Sequence, residues 1–303
     1  MDANGNGPGV PAKGGRPQPL PKRFYKAVTV ATRDPPPPMP EACLRHDGEG
    51  LGVGGTPTAD VLPSPPPYPS PTSCRRRASG TRGEGSACPF RVLLDGKPIR
   101  TPAKRDLMLP TQALAEAIAG EWAAQAAHVD LATMPLSRLA NSAIDGVAGR
   151  EVEVRADIAR YAGSDLVCYR ADGPEGLVER QCRAWDPILE WARETLGARF
   201  EVATSIMPVA QPDAGKAAVA KTLEHLDAFT LAALHVMTTL TGSALLALGH
   251  ARGRLSAEAA WAAAHVDEDW QITQWGEDAE AKARRERRWA EMQAASRMLS
   301  LLR

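Results

Sequence analysis

The sequence is short of several features that would each have pointed to a function. It carries no net charge, because 36 lysines and arginines balance 36 aspartates and glutamates over 303 residues. No overall field therefore draws the molecule to nucleic acid or to an anionic membrane surface. No apolar run reaches the roughly 20 residues of a spanning helix; the longest, at residues 231–248, is interrupted by His235, several threonines, Gly242 and Ser243. This predicts a soluble chain. Five cysteines, Cys43, Cys74, Cys88, Cys168 and Cys182, show no C-x-x-C spacing, which argues against a zinc site or a disulfide framework and for a reducing compartment. There is no G-x-x-x-x-G-K-[ST] loop, no G-x-S-x-G elbow and no H-E-x-x-H pair, so nucleotide hydrolysis, serine-type acyl transfer and zinc-dependent hydrolysis lack their usual signatures. A formal G-x-G-x-x-G at residues 50–55 lies in Pro/Gly-rich sequence, not between a strand and the helix N-terminus whose dipole would meet a pyrophosphate. His128, His225, His235, His250 and His265 are scattered and read as surface or capped-core residues.

What is present is a core with an uneven prelude. The hydrophobic content is 44%, enough for a buried interior in one large or two modest domains. Composition changes near residue 90: 18 of the 26 prolines and none of the seven tryptophans precede Phe90, which places the core mainly after it. Residues 1–22 lack both the apolar stretch of a secretory signal and the amphipathic pattern of a presequence, and read as a disordered leader. Residues 33–88, with their PPPP and PSPPPYPSP runs, cannot bury enough apolar surface to offset chain entropy and read as a disordered insert. Between them, RFYKAVTVA at residues 23–31 alternates like a strand. Its expected partner is a hairpin of residues 90–94 and 97–101, with Asp95-Gly96 supplying the positive-φ turn and Pro98 indicating an edge.

From Leu109 onward the periodicity is helical. Thr111 can cap a helix in which Leu114, Ile118 and Trp122 form one stripe, with Trp122 as a core anchor. In MPLSRLANSAIDGV a second stripe runs through Leu136, Leu139, Ala140, Ala143, Ile144 and Val147, with Pro135 near its start and Gly146 loosening its end. Two more helices follow, the second expected to restart or kink at Pro187. DLVCYR and RFEVAT read as short strand-like pieces around them. From about Asp213, three or four helices are expected: one at residues 216–228, a long apolar one through 230–248, one at 256–275 and one to the C-terminus. The fold class is α+β: a small N-terminal α+β domain with a β-hairpin at residues 23–170, followed by an all-helical domain at 171–303. The βαβ alternation of a doubly wound sheet is missing.

The most informative charges lie in HVDEDWQITQWGEDAE. On a continuous helix Trp261, His265, Glu268, Ile272 and Trp275 fall within roughly 80° of one another, so Glu268 interrupts an apolar stripe. Either a nearby Arg or His pairs with it, or the stripe is a binding surface with an acidic centre. Asp267 and Asp269 are expected to face solvent. The run Lys282, Arg284, Arg285, Arg287 and Arg288 is mixed with acids and reads as a solvated helix face without the aromatic platform of a nucleic-acid site.

The blocks RFYKAVTV, FRVLLDGKPIRTP, EWAAQ, MPLSRLANSAID and WQITQWGEDAE, in that order, resemble the ATP-twelve family of ATP synthase catalytic-head assembly factors over residues 23–31 and 90–300. The resemblance implies an assembly chaperone, not an enzyme, that binds the unassembled alpha subunit of the F-type ATP synthase and keeps it from aggregating until the beta subunit joins. It implies a partner-binding set centred on Glu268, with Asp267, Asp269, Gln271 and Trp275, and structural roles for Trp122, Arg138, Asn141 and Asp145. No cofactor, metal, nucleic acid or membrane insertion is expected of a monomer working in a bacterial cytoplasm or in the mitochondrial matrix. The insert at 33–88, where related chains have a short turn, is the departure from the family. A generic helical adaptor and a carboxylate-dependent enzyme are the rival readings.

Overall fold

The computed structural model describes residues 20–32, 90–204 and 209–303. The insert and nearly all of the leader, with Cys43, Cys74, Cys88 and the 50–55 glycine motif, lie outside the described residues.

Strand β1 (Val28–Thr32) pairs antiparallel with β2 (Phe90–Leu94), Val30 opposite Val92. Strand β2 also pairs with β3 (Lys97–Pro98) and β4 (Met108–Leu109). Asp95 and Gly96 adopt φ of 48° and 80°, the two left-handed positions of the tight hairpin turn that matches strand twist. The Asp95 carboxylate accepts hydrogen bonds from the backbone N–H groups of Ala27 (2.7 Å) and Lys26 (3.1 Å), which hold it below the usual carboxylate range. Pro98 sits on the outer strand β3, where its missing N–H breaks no ladder. The strand expected over residues 23–31 begins only at Val28. Upstream, Tyr25 turns inward instead, its hydroxyl donating to the Trp122 carbonyl at 2.6 Å, while Arg23 donates to the carbonyl of Gln125.

Helix α1 (Gln112–Ala123) starts at Thr111, whose Oγ1 accepts from Leu114 N–H at 3.2 Å and donates to the Leu301 carbonyl at 2.7 Å. Leu114 and Ile118 are fully buried; Trp122 is half-buried, tilted against the Tyr25 ring at 5.7 Å. Helix α2 (Pro135–Ser142) opens with Pro135, and its first N–H groups are taken by Glu121: Leu136 and Ser137 each donate to that carboxylate at 2.8 Å. The chain then widens into a π-helical turn at Ala143–Val147. Its Asp145 accepts from Thr101 Oγ1 (2.7 Å) and Ala103 N–H (3.0 Å), tying α2 to the segment behind the hairpin.

Helices α3 (Glu151–Tyr161) and α4 (Glu175–Trp191) follow. Between them DLVCYR is no strand: Leu166–Cys168 is a 3-10 turn capped by Asp165, and its only pairing with the 199–204 segment is one parallel bridge, Tyr169 to Ala203. The local cap and a bond from Leu166 N–H to the Gly242 carbonyl take up the donors that a ladder would need. Helix α4 runs through Pro187 without restarting; Pro187 lies on the exposed face, where solvent can replace the lost hydrogen bond.

The C-terminal part contains six helices where three or four were expected: α5 (Asp213–Thr222), α6 (Ala228–Thr241), α7 (Ala244–Ala251), α8 (Ala257–Ala264), α9 (Val266–Trp275) and α10 (Ala279–Leu301). The apolar run 230–248 is two helices because Gly242 takes φ of 67° and Ser243 caps the next helix, accepting from Leu246 N–H at 3.0 Å. The 216–228 helix likewise starts and stops earlier, and Asp227 caps α6. Helices α6 and α7 bury most of their residues, as expected of helices that are apolar all round. Helix α6 packs against α3, α7 and α10, inside one core cluster that runs from Tyr25 to Leu299. No helix among the described residues is long and apolar enough to cross a membrane.

The α6–α7 corner is fastened by Asp165. Its buried carboxylate accepts from Leu245 N–H (3.0 Å) and Val167 N–H (3.3 Å) and is hydrogen-bonded by Ser243. Burial pushes its pKa up to about 6 despite those donors. A raised pKa means that the native state holds the proton more tightly than the unfolded chain. The stability from this proton is therefore full below the unfolded value of about 3.9 and is lost as pH rises. The ¹³C-carboxyl titration of Asp165 should show a midpoint near 6, and Asp165→Ala, which strands its buried donors, should lower unfolding stability by at least about 1–3 kcal/mol in urea titration. A midpoint near 4 with an unchanged urea midpoint would contradict this account.

Candidate functional site

Residues 256–275 do not form one helix. Helices α8 and α9 meet at His265, whose backbone (φ −117°, ψ 21°) is not helical. The break is held by the His265 side chain: it is buried, its Nδ1 donates to the Trp261 carbonyl at 2.7 Å, and its ring lies 3.9 Å from that of Trp261. The continuous apolar stripe through Glu268 and Trp275 is therefore corrected. No residue of α9 is buried, and Trp275 at its far end is 84% exposed.

The break turns Asp267, Glu268 and Asp269 into the first turn of a separate helix, where free N–H groups and the helix dipole favour negative charge. The three carboxylates have different surroundings. Asp267 is exposed, yet it accepts from the Nε2 of buried Gln181 on α4 at 2.7 Å, and Gln181 in turn accepts from Ala171 N–H. Asp269 does not face solvent alone as expected: it lies 2.5 Å from Arg285 of α10, whose side chain is 22% exposed. Glu268 is 3.8 Å from His265 Nε2 with its side chain 41% exposed. Burial holds the His265 pKa below its usual value, with Arg285 and Arg288 also lowering it, against the opposing Trp261 hydrogen bond and the Glu268 charge. At neutral pH the imidazole is uncharged, and among the described residues Glu268 has no cationic partner. Gln271 is exposed on the same helix.

Two neighbouring helices set this turn in place. Trp270 packs over Gly176 of α4, where an added Cβ would stand 3.0 Å from the indole, and the Arg180 guanidinium stacks on its ring at 4.9 Å. From α10, Arg285 takes Asp269 and Arg288 donates to the Leu240 carbonyl at 2.7 Å, so the basic run is not only a solvated face. Gln181 and Trp270 were not singled out from the sequence, and Arg285 was read only as part of a solvated basic face, because each acts on a partner in another element and leaves no local pattern. Trp122, Arg138, Asn141 and Asp145 belong to α1, α2 and the π turn. Arg138 pairs with Glu291 at 3.4 Å, and the half-buried Asn141 keeps an Oδ1 without a partner.

A depressed histidine pKa stabilises the fold above the unfolded value of about 6.5, and that contribution is lost as pH falls. The Cε1–H resonance of His265 should titrate with a midpoint below 6.5, and the α8–α9 corner should loosen in hydrogen exchange as His265 becomes charged. A midpoint above 6.5 would mean that Glu268 and His265 form an ion pair and that the carboxylate is not free.

Residues 77–193 match the family model described as ATP12 chaperone protein. Among solved structures, the chain is similar to the Atu1473 protein of Agrobacterium tumefaciens, with 44% identity, TM-score 0.73, and 94% of this chain and 87% of that one covered. A lysine-for-aspartate mutant of P. denitrificans Atp12p matches with 34% identity and TM-score 0.72, covering 93% of this chain and 98% of that one. Atp12 from Paracoccus denitrificans matches with 42% identity and TM-score 0.69, covering 72% and 94%. With such identity carried over most of its length, the chain belongs to the ATP12 chaperone family.

Proposed function

We propose that this chaperone, an assembly factor of the F-type ATP synthase catalytic head, holds the unassembled alpha subunit through the first turn of α9. The observation that carries the reading is the state of Glu268. It is a half-exposed carboxylate at a helix N-terminus, beside an uncharged buried imidazole and, among the described residues, without a cation of its own. A client Lys or Arg placed there gains a charge-assisted hydrogen bond and displaces no internal ion pair. Trp275, 84% exposed at the other end of the same helix, offers the large aromatic area on which interfaces concentrate their energy. Asp267, Asp269 and Gln271 complete the patch, the first two also fixing α9 to α4 and α10. Trp122, Arg138, Asn141 and Asp145 serve the frame behind it.

The chaperoning itself follows from mass action. A partner that covers exposed apolar surface lowers the concentration of aggregation-competent subunit and needs no nucleotide to do so. We place this exchange, carried out by a monomer, in a bacterial cytoplasm or the equivalent mitochondrial matrix.

Coexpression with the cognate alpha subunit tests the reading by the amount of alpha that stays soluble and co-purifies. Glu268→Lys should reduce capture roughly tenfold to a hundredfold, as expected for reversal of an interfacial charge, while leaving the thermal melt nearly unchanged. Trp275→Ala should weaken capture by about 2 kcal/mol or more if it is an anchor. Undiminished capture by folded Glu268→Lys would remove α9 from the interface, and absence of capture by the wild type would refute the alpha subunit as client.

A further inference from the structure

Helices α4 and α8 wall a groove of about 520 Å³ that reaches the first turn of α9 at Val266 and Asp269. Its lining mixes apolar surface, including the exposed Pro187 and Ala259, with three arginines: Arg180, Arg183 and Arg254. Among the described residues none of the three arginines has an ion-pair partner; Arg180 is stacked on Trp270, which leaves the edge of its guanidinium free to donate. The one acid in the lining, Asp269, is already neutralised by Arg285. The groove thus presents unmatched positive charge over an apolar floor.

Past Pro187 and Arg254 the depression continues to Trp191 and Glu194. From residue 180 to residue 191 along α4 the rise is about 16 Å, the length of three helical turns. The far part is lined by Glu190 and Glu194 as well as Trp191, both glutamates lying beside Arg193, so the cationic part of this mixed trough is the stretch walled by Arg183 and Arg254. A groove of this kind suits a docked segment laid along it. Pro187 also has no N–H, so the carbonyl of Arg183 loses its helical donor beside the trough.

We propose that this groove receives an acidic amphipathic segment of the client, with its apolar face on Pro187 and Ala259 and its carboxylates on Arg183 and Arg254. The inference rests on the reading of α9 as client-facing and extends it. Glu268 meets a client cation while the arginines a short way along meet client carboxylates. A surface of two signs fixes the orientation of the bound segment and rejects the reversed one, because like charges would then face each other.

The test uses the full chain coexpressed with the cognate alpha subunit and carrying a photocrosslinking residue at Ala259. The expected crosslink maps to an acidic, amphipathic segment of alpha. Arg183→Glu combined with Arg254→Glu should lower capture roughly tenfold or more, the neutral pair Arg183→Gln and Arg254→Gln should fall between that and wild type, and added salt should narrow the differences. Near-UV circular dichroism and the thermal melt of each variant confirm that it is folded. Full capture by the folded charge-reversed variant, or a crosslink from Ala259 to a basic segment or to nucleic acid, would overturn the groove assignment. If Glu268→Lys loses capture while the arginine variant keeps it, the function proposed for α9 stands and the groove is not used. If the wild type captures no alpha subunit, both fall.

Discussion

The acidic first turn of α9 depends on one buried imidazole. His265 donates from Nδ1 to the carbonyl of Trp261, four residues earlier, and stacks against the Trp261 ring, while its backbone leaves the helical region. Without that break, the acids of residues 267–269 would be mid-helix groups with no free N–H groups ahead of them. With it they become the first turn of α9, where the dipole favours them, and the chain after them points Trp275 into solvent. Burial keeps the imidazole neutral, so the residue that forms the corner does not cancel the charge of the neighbouring Glu268.

A second buried group does comparable work in the interior. Asp165 joins the turn after α3 to the start of α7 by accepting from backbone donors on both segments. The α6–α7 pair, the most apolar part of the chain, is thereby fixed relative to α3 and α4. Helix α4 in turn carries Gln181, Gly176 and Arg180, which seat α9. The acidic turn is positioned by a chain of packed elements running back to the core.

Much of the organisation was legible in the sequence. The Asp95-Gly96 turn, the pairing of β1 with β2, the Thr111 cap and the Leu114 and Ile118 stripe all rest on interactions within a few residues or on strict alternation, and such patterns survive in the order of the residues. The helix breaks at Gly242 and His265 were missed. The first is a Gly-Ser step inside a run that is otherwise mostly apolar; the second comes from a side chain that bonds a carbonyl of the preceding helix, and it is buried against Trp261. DLVCYR reads as a strand because its side chains suit one, yet its N–H groups are claimed by Asp165 and Gly242, one of them 76 positions away.

By itself, the amino-acid order determined the family, the α+β class and the cluster of acids near residue 268, because these are matters of residue type and short-range spacing. The tertiary structure alone decided which of those acids lacks a cationic partner among the described residues. Asp267 is taken by Gln181 and Asp269 by Arg285, from helices distant in sequence, and Glu268 is left beside a neutral histidine. Arg180 and Arg183 on α4 and Arg254 in the connection before α8, none with an ion-pair partner among the described residues, likewise form one surface only after the chain has folded, since ion pairing depends on distances between side chains and not on their separation along the sequence.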